Sequence, residues 1–350
     1  MNKVKNILYL GWLGQGNVGD DVLFELFKQN FYENLDQSDT IINYNIDGFI
    51  PIQNYHYTLE SYDLVVLGGG SLFNLPYWLS LCKQAIEWNI PVISWGTGID
   101  GYYTDKDISV PSIIADSRDL LVEVTNNMKY ISVRGPLTKK IMVDCGISQS
   151  IIHETGDPAL IYGDKKLPRK FFKANSKKIL VNWGTSNNKV LGGKEGVVQE
   201  QLETALQILL NRGYEITIYP IWKDDIPSVI RLGEKFTHNH LRVINKVYDA
   251  KRLIELIDDV DLTINLKLHA NILSVARRKP FISLAYRGKC FDFAKSINSL
   301  DLVIPTSEVH AGEILNSVEE IEKNYQNIVH RFNQAIKNYN YKLHEGMEQI

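Results

Sequence analysis

Residues Gly11-Trp12-Leu13-Gly14-Gln15-Gly16-Asn17-Val18-Gly19-Asp20 lie between two periodic segments. Before them stands a short apolar run at 7–10 that reads as a buried strand. After them, Val22, Leu23, Leu26, Phe27 and Phe31 recur at helical spacing over 21–34. A strand, a glycine turn and a helix start in that order place backbone N–H groups where an anion or a sugar can approach. Four glycines in nine residues allow positive φ and close contact with a ligand. Gly14-x-Gly16-x-x-Gly19 matches the bare spacing of a dinucleotide fingerprint, which is a weak signal alone. No Lys-Ser or Lys-Thr follows, so the turn is not a P-loop.

The same punctuation recurs along the chain. Apolar strand candidates at 7–10, 40–44, 64–67, 92–95, 131–133 and 151–153 alternate with helical segments such as 79–88 and 136–145. Pro136 starts the latter helix and Gly146 stops it. Residues 163–178 are Lys- and Pro-containing without periodicity and read as a linker. A second series follows, with strands at 179–182, 215–219, 241–244, 262–265, 281–284 and 302–304, a helix at 197–210, and an amphipathic helical tail over 317–343. Such alternation predicts parallel α/β architecture, and 350 residues predict two domains. The expected division is 1–162, a linker at 163–178, 179–310, and a C-terminal helical segment at 311–350.

Composition narrows the partners. A net charge of -3 gives no reason to expect nucleic acid. Cys82, Cys145 and Cys290 are odd in number and without metal spacing, which suits a reducing cytoplasm. The first residues run directly into a strand, so no signal peptide is expected. No apolar run approaches the ~20 residues that span a bilayer. The expected location is cytoplasmic, with peripheral contact at the inner face of the membrane the only membrane association left open. Oligomeric state is not legible.

Gly-Asn-x-Gly-Asp at 16–20 resembles the polysaccharide pyruvyl transferase family, and further segments follow in that family's order. Leu64-Val65-Val66-Leu67-Gly68-Gly69-Gly70-Ser71 resembles its strand and triple-glycine turn. Pro91 to Ile99 resembles its next strand with a Gly-x-Gly turn. Ile131-Ser132-Val133-Arg134 and Asp157-Pro158-Ala159 are similar to two more of its segments, and Lys267-Leu268-His269-Ala270 stands where the family usually carries Arg-Leu-His. Lys289 lies at its basic position after the next strand. The resemblance spans roughly 7 to 295. It implies two doubly wound Rossmann-like domains facing a cleft (GT-B-like), with the acceptor on the N-terminal side and the donor on the C-terminal side.

The resemblance also implies roles. His269, Lys289 and Arg134 are the catalytic candidates. Lys267, Arg134, Lys289, Gly69, Gly70 and Gly98 are the donor-binding candidates, and Asn17, Gly19, Asp20 and Asp21 the acceptor-binding ones. Read from the residues alone, each has a plainer alternative. A histidine at a helix start can be a cap, although a bound anion beside it favours the imidazolium that proton transfer needs. Residues i and i+2 of extended chain share a face, so Lys267 and His269 are expected to point at one ligand. Lys267 is otherwise a solvated strand-end lysine, and Arg134 is otherwise an ion-pair partner of Asp157. Arg287 competes with Lys289. Asp20 suits a helix N-cap and Asn17 a sugar hydroxyl. The glycine turns can simply let helices pack, Asp157 can form a turn, and Tyr102-Tyr103 can line a sugar subsite or pack locally. His238-x-His240 lacks a third ligand, so no metal is expected, and Asp258-Asp259-x-Asp261 reads as a solvated turn.

The implied reaction moves a pyruvyl group from phosphoenolpyruvate, as co-substrate without a resident cofactor, onto a hexose of a lipid-linked or polymeric cell-surface polysaccharide precursor, forming a ketal. Two alternatives stay open. One is a GT-B glycosyltransferase taking a nucleotide sugar, with base recognition around 219–222. The other is a non-catalytic glycan-binding relative.

Overall fold

The structure, a computed structural model, describes residues 3–35, 42–49, 58–104, 107–162 and 177–348. The chain forms two compact units. The first comprises residues 1–15, 20–158 and 338–350, and the second 16–19 and 159–337. Most of the expected linker lies outside the described residues.

In the first unit, β1 (Lys3–Leu10), β2 (Ile42–Phe49), β3 (Leu64–Leu67) and β4 (Val92–Ser94) form a parallel sheet in the order β2-β1-β3-β4. Between them run α1 (Val18–Asn34) and α2 (Pro76–Glu87). A short hairpin, β5 (Tyr102–Thr104) with β6 (Asp107–Ser109), and two helices, α3 (Ser112–Asp116) and α4 (Arg118–Asn126), come next. Then β7 (Ile131–Val133), α5 (Pro136–Asp144) and β8 (Ile152–Glu154) complete the unit's main run. Bridges Ile93–Tyr130 and Thr97–Val133 carry the sheet on to β7, which pairs with β8 in parallel. The strand run expected at 40–44 is β2; residues 40 and 41 lie outside the described residues, and the strand runs on to Phe49. Alternate residues of β2 are exposed, so its apolar signal is weak. The central strands β3 and β4 are buried throughout, as strands covered on both faces must be. Phe27 of α1 packs on the rings of Tyr9 and Trp95, each 5.3 Å away.

The second unit holds β9 (Lys178–Asn182), α6 (Glu195–Asn211), β10 (Glu215–Tyr219), α7 (Ile226–Gly233), β11 (Leu241–Val243), α8 (Ala250–Asp258), β12 (Leu262–Asn265), α9 (Leu268–Ala276), β13 (Phe281–Ala285), α10 (Gly288–Ser296) and β14 (Val303–Pro305). Its six strands are parallel in the order β11-β10-β9-β12-β13-β14, the doubly wound dinucleotide-fold order. The helical tail is longer than the sequence suggests: α11 (Ala311–Met347) has 37 residues. Its part up to Lys337 belongs to the second unit, where Phe332 stacks on Phe281 at 5.8 Å. Its last turns belong to the first unit, where the Tyr339 hydroxyl donates to Glu154 at 2.5 Å. The segment expected as a separate 311–350 element is therefore divided between the units.

The three aspartates expected to be a solvated turn are structural partners. Arg277 donates to both oxygens of Asp258 at 2.8 and 2.9 Å, and the Lys178 ammonium pairs with Asp259 at 3.0 Å. The Lys178 backbone N–H donates to Asp261 at 2.9 Å. Asp258 and Asp259 close α8 and Asp261 leads into β12, where buried Arg277 and the start of β9 both need a carboxylate. Among the described residues no helix is long and apolar enough to cross a membrane.

Candidate active site

Each doubly wound sheet has a switch point, where neighbouring strands send their connections in opposite directions and leave a crevice at their carboxyl ends. In the first unit it lies between β1 and β3. The Gly68 N–H donates to the Leu10 carbonyl at 2.9 Å, which holds the two strand ends together. A Cβ on Gly68 would run into the Tyr9 ring, and the Gly69 N–H donates to the Tyr9 hydroxyl at 3.1 Å. Tyr9 is buried, and burial pushes its hydroxyl well above the ordinary range, so it stays a neutral acceptor for that amide. Gly70 has φ +101, a conformation glycine tolerates, and its face looks toward Asp20 Oδ1. Gly69 also abuts Leu23 of α1, which supports the plainer reading for that residue: it lets a helix pack.

Arg134 follows β7 and is 0% exposed. Its guanidinium donates to the Gly70 carbonyl at 3.1 Å and lies against Gly98, where a Cβ would collide with it. Its own N–H donates to Thr97 at 2.8 Å. Arg134 thus ties the two glycine turns of the first unit to each other. Asp157 is also fully buried, and it joins Asp20 in opposing ionisation of Tyr9.

At the start of α1 the cap is Asn17 and not, as expected, Asp20. The Asn17 Oδ1 accepts the Gly19 N–H at 3.1 Å. Asp20 stands inside the first turn, where a carboxylate suits the helix dipole. Asp21 accepts the Gly14 N–H at 3.3 Å, and partial burial raises its pKa.

In the second unit the switch point lies between β9 and β12. Residues 183–185 leave β9 and residues 266–267 leave β12. Lys267 is the N-cap residue of α9, with extended backbone, and His269 is the second residue of the helix. The extended-face expectation for this pair is therefore corrected: Leu268 already begins the helix, so the two residues are related by helix-start geometry. Asn182 at the end of β9 accepts the Lys267 N–H at 3.0 Å, fixing the turn.

The Lys267 side chain is only 13% exposed, and its ammonium is held on several sides. It donates to the Thr185 carbonyl at 2.6 Å and pairs with Asp225 at 3.1 Å. It also lies 5.3 Å from the Trp222 ring and 5.9 Å from that of Tyr286. Tyr286 gathers two more cations, Lys289 at 5.1 Å and Arg287 at 5.6 Å. Lys289, expected in a loop, is the second residue of α10, and Arg287 is that helix's N-cap residue. Three cations thus surround one aromatic ring where two adjacent helices present their N-termini, and both features favour an anion.

Residues 16–19 belong to this unit. The Val18 N–H donates to Ile221 at 3.2 Å and the Lys223 N–H to Gly16 at 3.1 Å, with Asn17 bridged to Trp222. Gly19 packs on the His269 imidazole so closely that any Cβ there would overlap the ring. The glycine at this position is therefore explained by the histidine.

Asp225 and Thr185 are missing from the sequence reading, Tyr286 has no role in it, and Trp222 enters it only within the span 219–222 of the nucleotide-sugar alternative. Asp225 stands in Trp222-Lys223-Asp224-Asp225, which looks like an exposed charged turn. Only its full burial distinguishes it from its neighbour. Tyr219, expected near a base pocket, is 2% exposed and belongs to the core. His238 and His240 face each other, their rings 5.3 Å apart, and the His238 ring accepts the His240 N–H at 3.1 Å. For Tyr102 and Tyr103 the backbone strand alone is described.

The polysaccharide pyruvyl transferase family model matches residues 17–288. The chain belongs to this family. It is a pyruvyl transferase relative whose work lies in polysaccharide modification. The amylovoran biosynthesis protein AmsJ of Erwinia amylovora is 21% identical over 318 residues, covering 82% of this chain and 72% of AmsJ. Solved structures share the fold. S. aureus MnaA in a structure with UDP has TM-score 0.61 and 11% identity, covering 95% of this chain and 91% of MnaA. The UDP-GlcNAc 2-epimerase of Methanocaldococcus jannaschii has TM-score 0.57 and 14% identity, covering 90% and 92%. Anabaena HepE in complex with UDP-glucose has TM-score 0.56 and 12% identity, covering 99% and 100%. This pyruvyl transferase family member thus has the GT-B-like α/β fold, with two doubly wound units.

Proposed function

We propose that the chain transfers the pyruvyl group of phosphoenolpyruvate to a hexose of a cell-surface polysaccharide precursor, leaving it as a cyclic ketal. The observation that carries this reading is the ring of Lys267, Arg287 and Lys289 around Tyr286, at the starts of α9 and α10 and next to His269. That arrangement suits a small donor bearing both a carboxylate and a phosphate, and it has charge in place before the reaction begins.

A general acid protonates C3 of the enol, and C2 becomes oxocarbenium-like. One sugar hydroxyl adds to C2, the C2–O bond to phosphate breaks, and a second hydroxyl closes the ketal. The two hydroxyl protons end on the new methyl group and on phosphate, so atoms and charge balance without a redox partner. His269 moves protons, while Lys267 and Lys289 hold the anionic groups and receive the departing phosphate. Arg134 acts through the Gly70 and Gly98 turns. Asn17, Gly19, Asp20 and Asp21 belong to the acceptor side, and no resident cofactor or metal takes part in this scheme. A cytoplasmic enzyme meeting a lipid-linked acceptor at the inner membrane face would fit the same chemistry.

The test is incubation with phosphoenolpyruvate and a panel of synthetic or lipid-linked hexose acceptors. Stoichiometric phosphate release and the mass of one pyruvate ketal on an acceptor support the reading. Sugar transfer from a nucleotide sugar without phosphate release from phosphoenolpyruvate would replace it with the glycosyltransferase reading.

A further inference from the structure

We propose that Asp225 is a positioning residue for this transfer, fixing the Lys267 ammonium where the donor's anionic groups bind. The inference rests on the phosphoenolpyruvate reading and assigns the donor site a residue that no sequence motif marks. Asp225 is fully buried at the turn before α7. Its Oδ1 lies 3.1 Å from Lys267 Nζ and accepts the Thr185 N–H at 3.1 Å. The turn around it has no spare room: a Cβ on Gly184 would overlap its carboxylate. Its own N–H donates to the Trp222 carbonyl at 3.0 Å, and Trp222 presents its ring to the same lysine. Residues 221–223 are the ones that hold Gly16 and Val18.

A buried carboxylate in this place has a specific use. Lys267 shares the Tyr286 ring with two other cations, whose like charges repel its ammonium. A carboxylate 3.1 Å away offsets that repulsion and holds the ammonium in place. The carboxylate is itself poised. Burial raises its pKa from 3.8 to about 6, and the charge of Lys267 with the Thr185 and Trp222 amides is what keeps it from rising further. Lys267 is the charged group that faces it; Lys223 and Asp224 are its chain neighbours. As pH falls through about 6 the carboxylate takes up its proton and its ionic hold on Lys267 is released.

Asp225→Asn keeps the shape and removes the charge. Losing a charge-assisted bond of this kind corresponds to a rise of about ten- to a hundredfold in donor KM, with kcat changed less. The phosphate's own second ionisation also lies near pH 6. The readout is therefore the difference between wild type and variant: the acid rise in donor KM should shrink in Asp225→Asn to what the phosphate alone causes. In a double-mutant cycle, adding Asp225→Asn to Lys267→Ala should change donor KM little, because the aspartate acts through the lysine. A wild-type KM and pH profile in Asp225→Asn, or full additivity with Lys267→Ala, overturns the inference. If Asp225→Asn does not fold, Lys267→Ala alone decides: its acid rise should match the phosphate's, and an unchanged wild-type rise overturns the inference. These outcomes are read with wild type that releases phosphate from phosphoenolpyruvate; absence of that release overturns the reaction and the inference together.

Discussion

The two switch points are built from different materials on the same kind of sheet. In the first unit, between β1 and β3, glycines 68–70 are locked by buried groups: the Tyr9 hydroxyl on Gly69 and the Arg134 guanidinium on Gly70. Arg134 has no exposed surface, so its charge organises backbone. In the second unit, between β9 and β12, the polar groups sit at the ends of long side chains, and Lys267, Arg287 and Lys289 retain partial exposure around Tyr286. The lesson is that a basic residue following a strand does not have one meaning. A guanidinium sealed under glycine turns builds the rim of a crevice, whereas ammonium groups at helix starts form a surface able to bind an anion. On the proposed reaction, hydroxyl recognition falls to the first kind of rim and anion recognition to the second.

The contrast can be broken experimentally. The largest effect expected is at His269. His269→Ala should lower kcat by ~10²–10⁴-fold, the usual worth of a general acid–base group, with an unchanged melting curve. Phosphate release beside a thermal melt measures both, and near wild-type turnover would leave the second unit without its proton carrier. Arg134→Ala should act the opposite way. Emptying a fully buried side chain costs roughly 2–5 kcal/mol, so denaturant unfolding should show the loss directly. A folded variant of wild-type stability whose donor KM alone rises would make Arg134 a ligand contact and erase the distinction between the units.

Lys267 sharpens the contrast from the other side. Lys267→Ala should weaken phosphoenolpyruvate binding by about ten- to a hundredfold, the worth of a charged hydrogen bond. Lys267→Arg should be tolerated, since a guanidinium can serve the same anion with two bonds. Calorimetric titration with phosphoenolpyruvate compares the three proteins, and equal affinity in Lys267→Ala would make the lysine a bystander. The smallest effect is a slope. The folded-state pKa of Asp225 is raised, so between about 4 and about 6 the native state binds the extra proton and stability falls as pH rises. The contribution is up to about 1.4 kcal/mol per pH unit, and none is lost below the window. Urea midpoints across that range should therefore converge for wild type and Asp225→Asn at low pH and separate as pH rises. Parallel curves would show that Asp225 does not titrate there.

Much of this was legible in the sequence. Strand runs such as 64–67, 92–95 and 179–182, followed by glycines at 68–70, 96 and 184, gave two parallel sheets, because a strand buried on both faces reads as a near-continuous apolar run. The ordered motifs at 16–20, 68–70, 96–98 and 267–270 gave the family, and they mark the turns and helix starts at the carboxyl ends of strands, which topology alone makes candidates for a site. The paired strands β5 and β6 escaped, since two strands of three residues leave almost no periodic signal.

What only the tertiary structure decided is which polar groups meet. Asn17 and Asp20 are both adequate caps in sequence, and the choice of Asn17 depends on where the helix begins, at Val18. Gly19 is glycine because His269, 250 positions away in the chain, lies against it. Asp224 and Asp225 are chemically identical neighbours, and only Asp225 is turned into the interior toward Lys267. Local periodicity fixes which residues become strands and helices because it is a property of neighbours along the chain. The charge state and partner of a carboxylate depend on burial and on residues distant in sequence, and those exist only once the sheet has assembled.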